Sequence, residues 1–268
     1  MTCGPSAGAA PFLHWNGDEW QKTESGVDDA LGAVCSFARD DAWVVGDNGT
    51  ILHWDGKGWL SGQDRFHAPL YDVWGLGPRD LWAVGGDGKT IHWDGDTWTR
   101  VDAGTHANLR GVWGSAADSV WAVGDVILHW DGKRWERVDV PPSVSKLNAI
   151  WGTGPNDAWA VGHHGAVVHY DGIRWASVLP VTDHELSAVW GKWPKAMWVV
   201  GNLGFVGHWD GERWSTHQIQ GRPIISDVCG SGIDDVWAVC LNGQIFRHAG
   251  GLWLVVQGHD WSPPKQVC

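Results

Sequence analysis

Seven short stretches repeat one set of reactive residue types. They read HWNGDEW (14–20), HWDGKGW (53–59), HWDGDTW (92–98), HWDGKRW (129–135), HYDGIRW (169–175), HWDGERW (208–214) and RHAGGLW (247–253). Imidazole beside carboxylate is the pairing used for metal ligation and for general acid–base chemistry. Six histidines take part: His14, His53, His92, His129, His169 and His208. Ligands of one metal must converge to within about 2 Å of the ion. Histidines spaced one per repeat cannot do that, so no metal site is expected. The spacing favours a local role, in which each ring bonds a turn Asp or a Trp N–H of its own unit and satisfies a polar group that is costly to bury bare. Asp41, Asp80, Asp157 and Asp235, each two residues before a Trp, read as turn residues that bond their own backbone.

The elements that must carry these residues follow from the period. The last Trp of each motif falls at 20, 59, 98, 135, 175, 214 and 253, which gives spacings of 39, 39, 37, 40, 39 and 39. A fixed period in this range marks a repeat architecture. One unit, LYDVWGLGPRDLWAVGGDGKTIHWDGDTWTRV (70–101), divides into four short strands separated by Gly- and Asp-bearing turns. Asp-Gly between two β-type runs signals a tight hairpin. The pattern predicts an all-β protein, a β-propeller of four-stranded antiparallel blades occupying 1–268 as one domain. Seven blades are expected. The seventh is a composite: the C-terminus would give its inner strand and the N-terminus (PFLHW, EWQKT) its outer ones.

Tryptophan is the framework residue. Of 24 in the chain, four fall in first strands, six in second, five in third and seven in fourth. Trp193 and Trp261 alone stand outside the pattern. The formal net charge of −12 argues against binding the phosphates of nucleic acid or an anionic membrane surface, and no apolar run reaches the length of a membrane span. The N-terminal residues have neither the basic start nor the apolar core of a leader peptide.

The Asp-Gly-x-x-Trp hairpins resemble the Asp-box propellers, whose blades carry Ser-x-Asp-x-Gly-x-x-Trp. Asp55, Gly56 and Trp59, and likewise Asp94, Gly95 and Trp98, occupy comparable places. The Ser is absent here, and so is the residue between Asp and Gly. The resemblance implies a fold, since Asp boxes are structural. Sialidases share them but add an arginine triad and a tyrosine nucleophile, and this chain's two tyrosines, Tyr71 and Tyr170, suggest no such set. The layout also looks like propeller lectins, which bind sugars between blades.

Two blades depart at cysteine. Cys35 and Cys229 replace the first-strand Trp, and Cys240 replaces the second-strand Gly of the blade holding Cys229. Cys229 and Cys240 are expected opposite or diagonal on one hairpin and bonded to each other. Cys3 and Cys268 would clasp the composite blade, leaving Cys35 free. Such bonds place the protein outside the cytoplasm, secreted, periplasmic or lipid-anchored. Cys3 could instead carry a lipid.

Loops from the fourth strand of one blade to the first strand of the next vary most, and function on rigid scaffolds concentrates in such loops. They supply Asp28, His67, His106, Asp183, Arg222 and Trp261, with Tyr71 and Arg110 just inside the channel mouth. The sequence therefore reads as a non-enzymatic binding propeller with no cofactor. Its ligand is a glycan or other polar small molecule stacked on Trp261. The alternative is a protein-interaction or assembly scaffold, and a hydrolase or lyase comes third. A lectin should show equivalent sites in several blades, a protein scaffold one asymmetric apolar patch.

Overall fold

The computed structural model describes residues 11–15, 20–62, 66–141, 144–178, 180–192 and 196–257. Every repeat from residue 31 onward forms one four-stranded antiparallel sheet with its strands in chain order. These sheets are blades 1 to 6, spanning 31–61, 70–101, 109–138, 147–178, 186–218 and 225–257. In blade 2 the strands are Leu70–Gly77, Asp80–Gly85, Thr90–Trp93 and Trp98–Val101. First strands pack on one another in sequence from blade 1 to blade 6.

The blade count corrects the expectation of seven. Pro11–Trp15 and Trp20–Glu24 pair only with each other, as a separate two-stranded sheet. A tight hairpin turn needs only its own two strands. Seven copies of the hairpin motif therefore do not require seven blades, and six complete sheets form. The C-terminal segment expected to give the composite blade's inner strand lies outside the described residues, as do Cys3 and Cys268.

The cysteine pairing is also corrected. Cys229 lies opposite Trp237, and Cys240 lies opposite Ile225, across a register shift. The two cysteines thus sit at different levels of the hairpin, with about 10 Å of strand between Cys240 and the residue facing Cys229. Disulfide geometry cannot span that. Cys229 and Cys240 are buried free thiols. Burial pushes the Cys240 thiol up to about 12. The expectation of an oxidising compartment loses the support it drew from this bond.

The seams between blades hold the core. Each second-strand Trp of blades 1 to 5 reaches across to the aromatic rings of the next blade. Trp82 meets Trp130 at 4.9 Å and Trp135 at 5.2 Å, the latter edge-on. Trp43 meets Trp93 and Trp98, Trp121 meets Tyr170 and Trp175, and Trp159 meets Trp209 and Trp214 in the same manner. Tilted and edge-to-face pairs of this kind add about 0.5–1.5 kcal/mol each beyond their burial. Nearer the axis, Trp74 Nε1 donates to Gly114 O at 3.2 Å and Trp151 Nε1 to Gly191 O at 2.8 Å, tying first strands of adjacent blades together.

Candidate functional site

The repeated hairpin is the first place to look for chemistry, and its geometry is that of a scaffold. His53, His92 and His169 bond Asp41, Asp80 and Asp157 of their own blades through Nε2 at 2.8, 2.8 and 2.7 Å. The four carboxylates Asp41, Asp80, Asp157 and Asp235 thus serve a neighbouring strand, and not their own turn backbone as the sequence suggested. Each opens a second strand, directly beside the third strand that carries its partner, a histidine or, for Asp235, Arg247. The same imidazoles lie flat on the second-strand indoles: Trp43–His53 at 4.2 Å, Trp82–His92 at 4.5 Å and Trp159–His169 at 4.2 Å. For Asp157, burial pushes the carboxyl up, but bonds from His169, Thr153 and Trp159 outweigh it and hold the group below its ordinary range.

Blades 3 and 5 lack the carboxylate. Ser119 stands in its place at 3.4 Å from His129, and Ala196 occupies the equivalent position beside His208. There burial dominates and lowers both imidazoles. The turn Asp of the hairpins in blades 1 to 5 accepts the backbone N–H groups two and three residues on. Asp94, for instance, takes Asp96 N at 2.9 Å and Thr97 N at 2.8 Å. Gly95 follows at φ +96°, a conformation only glycine adopts without strain. Those two backbone bonds hold the Asp94 carboxyl below its ordinary value. Among the described residues, no group of three His, Cys, Asp or Glu side chains is placed to hold a metal ion.

The variable face differs in construction. In all six blades the first strand slips register at its second residue. Leu70 pairs with Gly85 and Asp72 with Val84, which leaves Tyr71 as the extra residue of a β-bulge. The equivalents are Gly32, Arg110, Asn148, Ser187 and Ser226. A bulge re-aims a side chain, so six positions carrying five residue types are set beside the turns joining second and third strands. Arg110 Nη1 donates to Asp125 at 3.0 Å. Burial raises the Asp125 carboxyl, but this bond and the guanidinium charge bring it below its ordinary value. Asn148 Nδ2 donates to Glu185 at 3.1 Å and to Leu186 O at 2.9 Å, and His163 approaches the same Glu185 oxygen at 3.3 Å.

The residues expected at the mouth are found in separate loops. Asp28, His67, His106, Asp183 and Arg222 are all exposed. His106 Nδ1 bonds Asp87 at 2.8 Å, and both side chains are largely in water. His67 and Arg222 sit at φ +52° and +51°, which is uncommon for side chains with a Cβ. Tyr71 is just exposed and lies over its own blade's turn, since a Cβ at Gly86 would come within 3.3 Å of its hydroxyl. Trp261 and Trp193 lie outside the described residues.

The sequence reading missed an apolar strip on this face, at blades 5 and 6. Leu203, Ile224 and Leu241 are 40%, 44% and 47% exposed. Backbone bonds bring them near one another: Gly204 N, next to Leu203, donates to Pro223 O, next to Ile224, and Leu241 N donates to Ile224 O at 3.0 Å. The signal was present. The residue after the second strand is Asp47, Gly86, Asp125, His163 and Asn202 in the first five blades and Leu241 in the sixth.

No protein-family model and no curated protein matches the sequence. Solved structures do match. A YCF48 protein bound to a D1 peptide aligns with a TM-score of 0.73 at 18% identity, covering 90% of this chain and 86% of that one. YCF48 from Cyanidioschyzon merolae aligns at 0.67 and 16%, covering 86% of each chain. The computationally designed protein Ika8 aligns at 0.69 and 16%, covering 88% of this chain and 77% of its own. A natural pair and a designed ring share the architecture at such low identity that the likeness establishes one thing, a Trp-rich β-propeller of repeated four-stranded blades.

Proposed function

We propose that this propeller is a non-enzymatic protein-binding module that takes an extended peptide segment across its variable face. The observation that carries the reading is the strip formed by Leu203, Ile224 and Leu241. Exposed apolar side chains joined in one patch beside polar neighbours mark an interaction surface. The patch is asymmetric. On blades 2 to 4 the same face shows ion pairs and amide bonds, Asp87–His106, Arg110–Asp125 and Asn148–Glu185. A sugar-binding ring would be expected to repeat its site, and the bulge residues of the six blades are of five different types. The YCF48 structure with a bound D1 peptide supports the reading to the extent that a propeller of this shape accepts a peptide.

Selection from a random peptide library on the purified chain tests it. Peptides with apolar anchors should emerge, and Leu241→Asp should weaken them at least tenfold, about 1.4 kcal/mol, while the melting temperature holds. Failure to select any peptide, or affinities indifferent to Leu241→Asp, would reject the proposal. So would saturable binding on a glycan array without peptide binding.

A further inference from the structure

Each blade ends in an outer strand whose far edge meets no further strand among the described residues. Sheet edges are kept from pairing with other chains by charges or by being short. The outer strands of blades 2 to 5 lie in TWTRV (97–101), RWERV (134–138), RWASV (174–178) and RWSTH (213–217), each with an arginine, and blade 1 stops after three residues, Trp59–Ser61. Blade 6 has neither protection. Its outer strand, Leu252–Gln257, is six residues long and reads LWLVVQ, without a charge. Leu252 stands where blades 3 to 5 have an arginine, and Leu254 and Val255 stand where blade 2 has Thr99 and Arg100. Leu252, Leu254, Val255 and Val256 are 63%, 52%, 58% and 42% exposed. By strand alternation Leu252 and Leu254 lie on one face and Val255 on the other, so the edge is apolar on both sides. Trp253 packs edge-on against Trp198 at 5.5 Å and holds the strand in place.

We propose that this strand is a dimerisation edge, at which two copies of the chain pair antiparallel across a two-fold axis and join their sixth blades into one continuous sheet. The occupant is a second copy for three reasons. An open edge needs a partner edge of equal length, apolar on both faces and uncharged, and in a two-fold pairing the strand is its own complement in each respect. The chain carries a net charge of −12, so two copies repel over most of their surfaces. That field is screened within about 8 Å at physiological salt, and an uncharged strand lets the copies touch without like charges face to face. The area fits a weak dimer. The four side chains leave roughly two residues' worth of apolar surface in water, a few hundred Å² per protomer against the ~800 Å² of a stable complex, so main-chain bonds must supply much of the rest. Association is therefore expected at micromolar concentrations. The edge lies apart from the variable face and stands independently of the peptide reading.

Sedimentation velocity on the purified chain, from about 1 to about 500 μM, tests the proposal. The mass should pass from monomer to dimer and stop there, and added salt should tighten the dimer as repulsion is screened. Leu254→Thr with Val255→Arg installs the blade 2 pair, should keep the melting temperature, and should weaken dimerisation at least tenfold. Leu252→Arg, the residue of blades 3 to 5, should do the same and serves if the double variant does not fold. Amide exchange at residues 252–256 should slow on concentrating the wild type alone, because strand pairing, unlike side-chain contact, protects the backbone. A chain monomeric throughout overturns the proposal. Amides protected at every concentration would then assign the edge to the chain's own residues 258–268, and a library peptide lost on Leu252→Arg would assign it to a foreign strand. Open-ended assembly, folded variants that dimerise like wild type, or unprotected amides in the dimer overturn it equally.

Discussion

Blades 2 and 6 are built on one plan and spend their side chains differently. In blade 2, Asp80 bonds His92, and His92 stacks on Trp82. In blade 6, Arg247 replaces the histidine yet keeps both contacts: its Nε reaches Asp235 at 2.8 Å, and its guanidinium lies 5.1 Å from the Trp237 ring. Ser231 and Trp237 also donate to Asp235. A planar cation over an indole does the work of an imidazole there. Other positions let go. The turn Asp becomes Ala249, and Gly250 and Gly251 make the turn at positive φ. The space-filling Trp93 becomes His248. The comparison separates two jobs within one motif: the bonds across a blade's own strands persist, and the filling of its seam does not.

The comparison breaks most easily at the second-strand indoles. Trp82 is 2% exposed, and Trp237 is only half-buried. Trp82→Ala should cost about 3–5 kcal/mol, the range for truncating a buried Trp. Trp237→Ala should cost less, about 2 kcal/mol, since it gives up a partial burial. Urea midpoints at constant m-value measure both. Equal losses would mean that blade 6 is as tightly filled as blade 2.

A second contrast sharpens the point. Gly85 ends the second strand of blade 2 in extended conformation, φ −168°, and a Cβ there would meet Pro69 O at 2.0 Å. The equivalents Gly124, Gly162 and Gly201 face a carbonyl equally closely. Blade 6 carries Cys240 at this position and keeps the equivalent bonds, Cys240 N to Gln244 O and Leu241 N to Ile224 O, both at 3.0 Å. The backbone around Cys240 therefore accommodates a side chain that blade 2 has no room for. Gly85→Ala should cost roughly 1–3 kcal/mol through overpacking. Cys240→Ala, which removes one sulfur from a site that already holds a Cβ, should cost less. A Gly85→Ala protein as stable as wild type would show that the blade 2 turn yields freely.

How much of this could be read in the sequence depends on what each residue responds to. The period, the four strands per unit and the Asp-Gly turns are local signals, and they appear as written. The blade count depends on what the terminal segments do, and a hairpin motif carries no information about whether inner strands join it. Cys229 and Cys240 were expected within bonding reach because both replace framework residues of one blade. Cys229 in fact pairs with Trp237, and Cys240 lies three residues further along that strand, next to a register shift between Ile225 and Asp227 that no composition reveals. The same bulge, six times over, sets Tyr71, Arg110 and Asn148 at the mouth. The apolar strip was legible only as a departure from the repeat, at Leu241, and polar residues drew attention away from it.

The smallest effect concerns seams with and without the carboxylate. His129 in blade 3 has Ser119 where blades 1, 2 and 4 have Asp, and burial holds its imidazole below the ordinary value, against the opposing fields of Asp131, Glu136 and Asp118. The folded state therefore binds a proton at His129 less readily than the unfolded chain. Its contribution to stability is complete above the unfolded value of about 6.5 and declines as pH falls through that value towards the lowered folded one. Ser119→Asp supplies the partner that His53, His92 and His169 possess. It should raise the His129 midpoint, followed by NMR titration of the ring protons. A smaller gap between the folded and unfolded midpoints shrinks the loss of stability on acidification. Unfolding midpoints at pH 7 and pH 5 should accordingly draw together relative to wild type. A His129 midpoint left unmoved by a neighbouring carboxylate would show that the indole of Trp121, 4.2 Å away, fixes the ring in a pose no strand-two carboxylate can reach.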